Sequence, residues 1–79
     1  MRDLVWDKRM LGAFIEHACL TEEEIEVLRD LAYDKDRAGT AMRCHMSEEK
    51  VDKIRKRLRI KYDLIQPHVD ELPPRKTKT

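Results

Sequence analysis

The chain has few of the residues from which a small protein builds a rigid cavity. It holds one Trp, one Phe, two Tyr, two Gly and two Cys among 79 residues, while 42% are charged. A domain of this size buries only roughly 60–65% of its unfolded surface, so the core is thin. A pre-organised catalytic pocket needs a supporting shell that such a core does not supply. No glycine-rich phosphate loop, no carboxylate pair on a shared cleft and no nucleophile–base pair can be placed. The expectation is therefore a protein that is not an enzyme, with no cofactor and no small-molecule substrate. No run approaches the roughly 18 consecutive apolar residues of a membrane span. Met1-Arg2-Asp3-Leu4 leads into no signal-peptide stretch. A cytoplasmic location without a membrane partner follows, and Cys19 and Cys44 are expected as reduced, small core residues. Strand signals and internal repeats are also missing, since nothing alternates apolar and polar for long.

What is abundant is charge, and it is unevenly distributed. Residues 1–36 carry five Lys or Arg against ten acids, and residues 37–79 carry twelve against six. This division predicts a basic face for a polyanion, with the acidic half turned away from it.

Helical punctuation recurs along the chain. Asp7 can cap a first helix over about Lys8 to Cys19, with Met10, Leu11, Phe14, Ile15 and Ala18 on one face and Trp6 and Leu11 as a hydrophobic staple. Thr21-Glu22-Glu23-Glu24 is a capping box opening a second helix, whose stripe is Ile25, Leu28, Leu31 and Ala32 and which fades near Tyr33-Asp34. A short third helix spans about Arg37 to Cys44, with Asp36 as its cap. Ser47 caps the longest helix, about Glu48 to Leu64, where Val51, Ile54, Leu58, Tyr62 and Ile65 share a face before Pro67 ends it. The predicted organisation is all-α. A flexible N-terminus (1–6) precedes a four-helix domain (7–66) with a helix-turn-helix core at 21–65, and an extended, proline-containing basic tail (67–79) follows.

A twenty-residue helix-turn-helix pattern can be laid on Arg37 to Lys56. Thr40 and Ala41 then fall at the helix crossing, Cys44 and Met46 around the turn, and Val51 and Ile54 in the core. With Leu20-Thr21-Glu22-Glu23-Glu24-Ile25-Glu26-Val27-Leu28 and Met46-Ser47-Glu48, the segment from Leu20 to Leu64 resembles the LuxR-type and sigma-factor region-four helix-turn-helix. Short sigma-like regulators of bacterial mobile elements and phages are similar. The chain departs from that pattern in having His45 where Gly is usual, Thr40 where an aliphatic residue is usual, and Glu48, Glu49 and Asp52 on the last helix.

The resemblance implies a DNA-binding transcription regulator whose recognition helix, about 47–62, enters the major groove of double-stranded DNA. The implied contacts are Arg37 and Arg43 at phosphates, Ser47, Glu49, Lys50, Lys53 and Lys56 at bases or backbone, and Arg57 and Lys61 at the backbone. Glu48 and Glu49 equally suit the positive end of a helix dipole. A homodimer or a larger polymerase assembly would enlarge the small footprint. The competing expectation is a non-catalytic module on the same fold that binds RNA polymerase, a sigma factor or another protein. His17, Cys19, Cys44 and His45 hold metal-binding atoms, but His17 and Cys19 point roughly 200° apart on a helix and no metal is expected. Trp6 either anchors a partner helix or covers the core. The segment Pro67 to Pro74 either serves as a proline-rich ligand or packs Val69 and Leu72 on the domain, and Arg75, Lys76 and Lys78 add phosphate attraction.

Overall fold

A computed structural model describes residues 4–33 and 35–74. Four helices run in order: α1 (Lys8–Ala18), α2 (Glu22–Ala32), α3 (Arg37–Cys44) and α4 (Glu48–Ile65), followed by a single 3₁₀ turn, Gln66–His68. No strand occurs among the described residues, so the fold is all-α.

Each helix starts where a short polar side chain can satisfy a free amide. Asp7 accepts from the Met10 N–H at 2.9 Å, and Asp36 accepts from Gly39 at 2.7 Å. Ser47 accepts from Lys50 at 3.1 Å. Thr21 and Glu24 form the reciprocal capping box, at 3.2 and 3.0 Å. Such caps are worth about 1 kcal/mol each. Gly39 suits its place because a Cβ there would lie 2.8 Å from the capping oxygen of Asp36.

Two helices end on a left-handed residue that is not glycine. Cys19 follows α1 at φ 52°, and His45 follows α3 at φ 55°. At α3 the His45 and Met46 amides turn back to the Met42 and Ala41 carbonyls, a Schellman closure. The turn expected to favour Gly is thus held by His45. The same geometry corrects the expectation for Cys19: the left-handed step leaves the thiol exposed instead of in the core, while Cys44 is half-buried.

The long helix α4 is the centre of the molecule. Its 18 residues run about 27 Å at 1.5 Å per residue, close to the 33 Å longest dimension. It packs against α1, α2, α3 and the 3₁₀ turn, presenting Val51, Ile54, Leu58 and Tyr62, all buried. Phe14 of α1 and Trp6 join Tyr62 in an aromatic cluster with centroids 5.3 to 5.9 Å apart. Trp6 therefore covers the core. In α2 the buried residues are Glu24, Val27, Leu28 and Asp30, whereas Ile25, Leu31 and Ala32 are only half-buried. The stripe is rotated from the expected one because Glu24, a carboxylate, occupies one of its places. At the helix crossing Thr40 and Ala41 are buried, with the Thr40 hydroxyl donating to the Asp36 carbonyl at 3.1 Å.

Both ends of the described chain belong to the packed unit. Leu4 and Trp6 lie against the core, although the composition of 1–6 predicts a loose segment. Val69 and Leu72 are buried, the Tyr62 hydroxyl donates to the Pro73 carbonyl, and Gln66 donates to the Leu72 carbonyl at 3.1 Å. The first part of the expected tail is thus a strap over the domain. Arg75, Lys76 and Lys78, expected to attract phosphate, lie outside the described residues, as do Asp34 and residues 1–3.

Candidate nucleic-acid interface

The apolar seam of α4 fixes where its charged residues point. Because α2 and α3 flank that seam, residues beside it meet those helices, and only the opposite face stands clear. On the α2 side, Lys50 donates to Glu23 at 2.7 Å, Lys61 donates to Glu24 at 2.9 Å, and Arg57 lies 3.9 Å from Glu24. On the α3 side, Arg37 reaches across to Asp52 at 2.7 Å and Glu48 at 3.0 Å. Arg55 donates to the Lys35 carbonyl at 3.0 Å. Between α2 and α3, Arg43 bridges Glu26 at 2.8 Å and Asp30 at 2.9 Å, and also donates to the Glu26 carbonyl.

This corrects the expectation that the acidic half turns away from the basic one. The hydrophobic seam draws α2 beside α4, and their flanks meet as ion pairs. Of the residues implied as DNA contacts, Arg37, Arg43, Lys50, Arg57 and Lys61 each face a carboxylate of the same chain. The Ser47 hydroxyl is occupied as the α4 cap. Lys53 and Lys56 are exposed and make no hydrogen bond or ion pair among the described residues, and the same holds for Arg59 and Glu49. Glu48 and Asp52, acids that would oppose a phosphate, are instead offset by Arg37.

The electrostatics of these pairs differ with burial. Arg37 and Arg43 are exposed cations held above their ordinary range, Arg37 chiefly by its hydrogen bond to Asp52 and Arg43 chiefly by that to Asp30. Pairs exposed on both partners, as at Arg37, contribute little to stability. Asp30, the partner of Arg43, is buried, and so is Glu24, whose side chain is only 1% exposed. Burial pushes its carboxyl up, but the Thr21 amide and the Lys61 ammonium together outweigh burial and hold it below its ordinary value. The Cys44 thiol is pushed up by burial, which keeps it protonated.

Three features are not evident in the sequence. Glu24 reads there as a cap alone, yet it is also the buried counter-ion of Lys61. Glu26 and Asp30 hold Arg43, and their spacing of four along α2 is the signal that marks them as one face. Ile60 and Leu64 stand exposed at 54% and 70% on the same helix as the unpaired lysines.

No set of three or more His, Cys, Asp or Glu residues suited to a metal ion occurs among the described residues. No described helix is long and apolar enough to cross a membrane. No family model, no curated protein and no solved structure matches the chain.

Proposed function

We propose that the protein is a non-catalytic, cytoplasmic DNA-binding regulator that uses α3, the turn at 45–47 and α4 as a helix-turn-helix. The observation that carries this reading is the outward face of α4, where Lys53 and Lys56 have no ion pair among the described residues while neighbouring cations are held internally. Arg59 joins them on the exposed surface. Lys53 and Lys56 are three residues apart, close to one helical turn, which suits a helix lying along a groove with phosphates on either side. Arg37 serves mainly to neutralise Glu48 and Asp52, so that α4 can approach a polyanion.

The test is fluorescence anisotropy with a labelled mixed-sequence duplex across a salt series. Three phosphate contacts give a slope of about −2.7 in log affinity against log salt, so binding should weaken ~40-fold between about 50 and 200 mM. Replacing Lys53, Lys56 and Arg59 with Gln should remove that part of the slope. Absence of binding at the lowest salt refutes the reading.

A second reading, an interaction module for RNA polymerase or another transcription protein, is favoured by one observation. Ile60 and Leu64 continue the outward face of α4 as exposed apolar side chains, which a phosphate does not recognise. Such a contact would survive the salt that abolishes DNA binding.

A further inference from the structure

The outer face of α4 has a counterpart on the same molecule. A cleft of about 510 Å³ opens between the first turns of α2 and the end of α3, where Ile25 and Met46 provide half-buried apolar walls and Glu22, Glu23 and Glu26 carry the acidic charge. Arg29 and Arg43 also line it, but both lie against Glu26, within 4.0 and 2.8 Å. Glu22 makes no ion pair among the described residues, and Glu23 meets only Lys50, outside the cleft lining. The lining thus sets three carboxylates against two guanidiniums between apolar walls, and Glu22 is its one carboxylate without an ion pair among the described residues.

On α4, Lys53, Lys56, Ile60 and Leu64 follow one another at steps of 3, 4 and 4, so they form a single stripe that is basic at one end and apolar at the other. An amphipathic helix seats in a groove through anchors at this spacing. We propose that the cleft of one molecule receives the outer face of α4 from a second copy. Ile60 and Leu64 enter against Ile25 and Met46, and Lys53 and Lys56 lie along Glu22 and Glu23.

The two surfaces are different patches of the chain, so the contact is head-to-tail and each added copy leaves one cleft and one α4 face open. Only a few side chains meet, which places the contact with small, transient interfaces. It also covers Lys53 and Lys56, so association and DNA binding would compete. The proposal does not rest on the DNA reading, because self-association is measured with no nucleic acid present.

The experiment is sedimentation velocity of the full chain over a concentration series up to ~1 mM, at ~50 and ~500 mM salt. Wild type should sediment above the 9.5 kDa monomer at low salt and return to it at high salt. Two variants separate the surfaces. Glu22→Lys with Ile25→Lys alters the cleft and spares the Glu23–Lys50 pair, and Ile60→Asp with Leu64→Asp alters only α4. Glu22, Ile60 and Leu64 are exposed and Ile25 is half-buried, and far-UV circular dichroism checks the fold of each protein. Each variant alone should associate at least ten-fold more weakly than wild type. An equimolar mixture should form a complex no larger than a dimer, through the intact cleft of one and the intact α4 of the other. A wild-type protein that stays monomeric throughout overturns the proposal. Loss of association in the α4 variant with none in the cleft variant also overturns it, since that pattern belongs to a symmetric α4–α4 contact.

Discussion

Replacing Lys61 with Met separates a structural charge from a ligand-binding one. In the folded protein Lys61 Nζ lies 2.9 Å from one oxygen of Glu24, which also accepts the Thr21 amide at 3.0 Å. The second oxygen has no hydrogen bond, and Arg57 is 3.9 Å away. Removing the ammonium leaves a buried carboxylate held by one amide and a distant guanidinium. Breaking a buried ion pair from one side costs about 3–5 kcal/mol. Lys61 itself is 30% exposed and Arg57 can move closer, so the cost falls below that range, to about 2–3 kcal/mol. For a domain of this length that lowers the melting temperature by roughly 8–24 °C. Thermal and urea unfolding, followed by circular dichroism, measure the loss. Lys56→Met serves as the control and should stay within about 0.5 kcal/mol of wild type, because Lys56 is exposed and has no ion pair among the described residues. A double variant, Lys61→Met with Glu24→Gln, should be more stable than the sum of the single losses, since a neutral amide needs no counter-charge. Affinity for DNA should move the other way: Lys56→Met weakens it, and folded Lys61→Met retains it. Equal stability of the two lysine variants would refute the assignment of Lys61 as the counter-ion of Glu24.

The remaining predictions concern backbone, core and pH. His45→Gly relieves a left-handed residue at φ 55° and should stabilise the protein by about 1 kcal/mol in urea unfolding. Gly12→Ala adds a methyl group that meets no atom within 4 Å on an exposed part of α1, and should stabilise by about 0.5–1 kcal/mol in the same assay. Leu72→Ala should cost about 2–5 kcal/mol in the same assay, because Leu72 is buried in the core, and a cost near zero would refute that packing. The Glu24 carboxyl lies below its ordinary 4.5 in the folded state, so its contribution is complete above that pH and is lost as pH falls through the depressed folded value. Unfolding free energies measured from neutral to acid pH should therefore fall more steeply for wild type than for Glu24→Gln.

Local chemistry makes the helix starts legible in the chain itself. Asp7, Thr21, Asp36 and Ser47 each announce one, because a short oxygen-bearing side chain followed by a helical apolar pattern satisfies free amides without tertiary help. The burial of Val51, Ile54, Leu58 and Tyr62 follows from their spacing alone. The packing of Val69 and Leu72 is readable as one of two alternatives, since Pro67 stiffens the segment that carries them.

What the sequence could not decide was which charges would meet. Lys50, Lys53, Lys56, Arg57 and Lys61 are equivalent as letters on a basic helix, and all five belong among the implied DNA contacts. Only the docking of α2 against α4 distinguishes them, placing Glu23 and Glu24 within reach of Lys50, Arg57 and Lys61 and leaving Lys53 and Lys56 on the far side. The rotation of α2 is equally a tertiary outcome. Glu24 reads as a solvent-facing cap in one dimension, yet it is buried, because its carboxylate finds a capping amide and a lysine of α4 in the same place. Helix starts depend on neighbours within four residues, which the sequence contains. Ion pairs across helices depend on the rotation of one helix against another, which is set by the whole core at once.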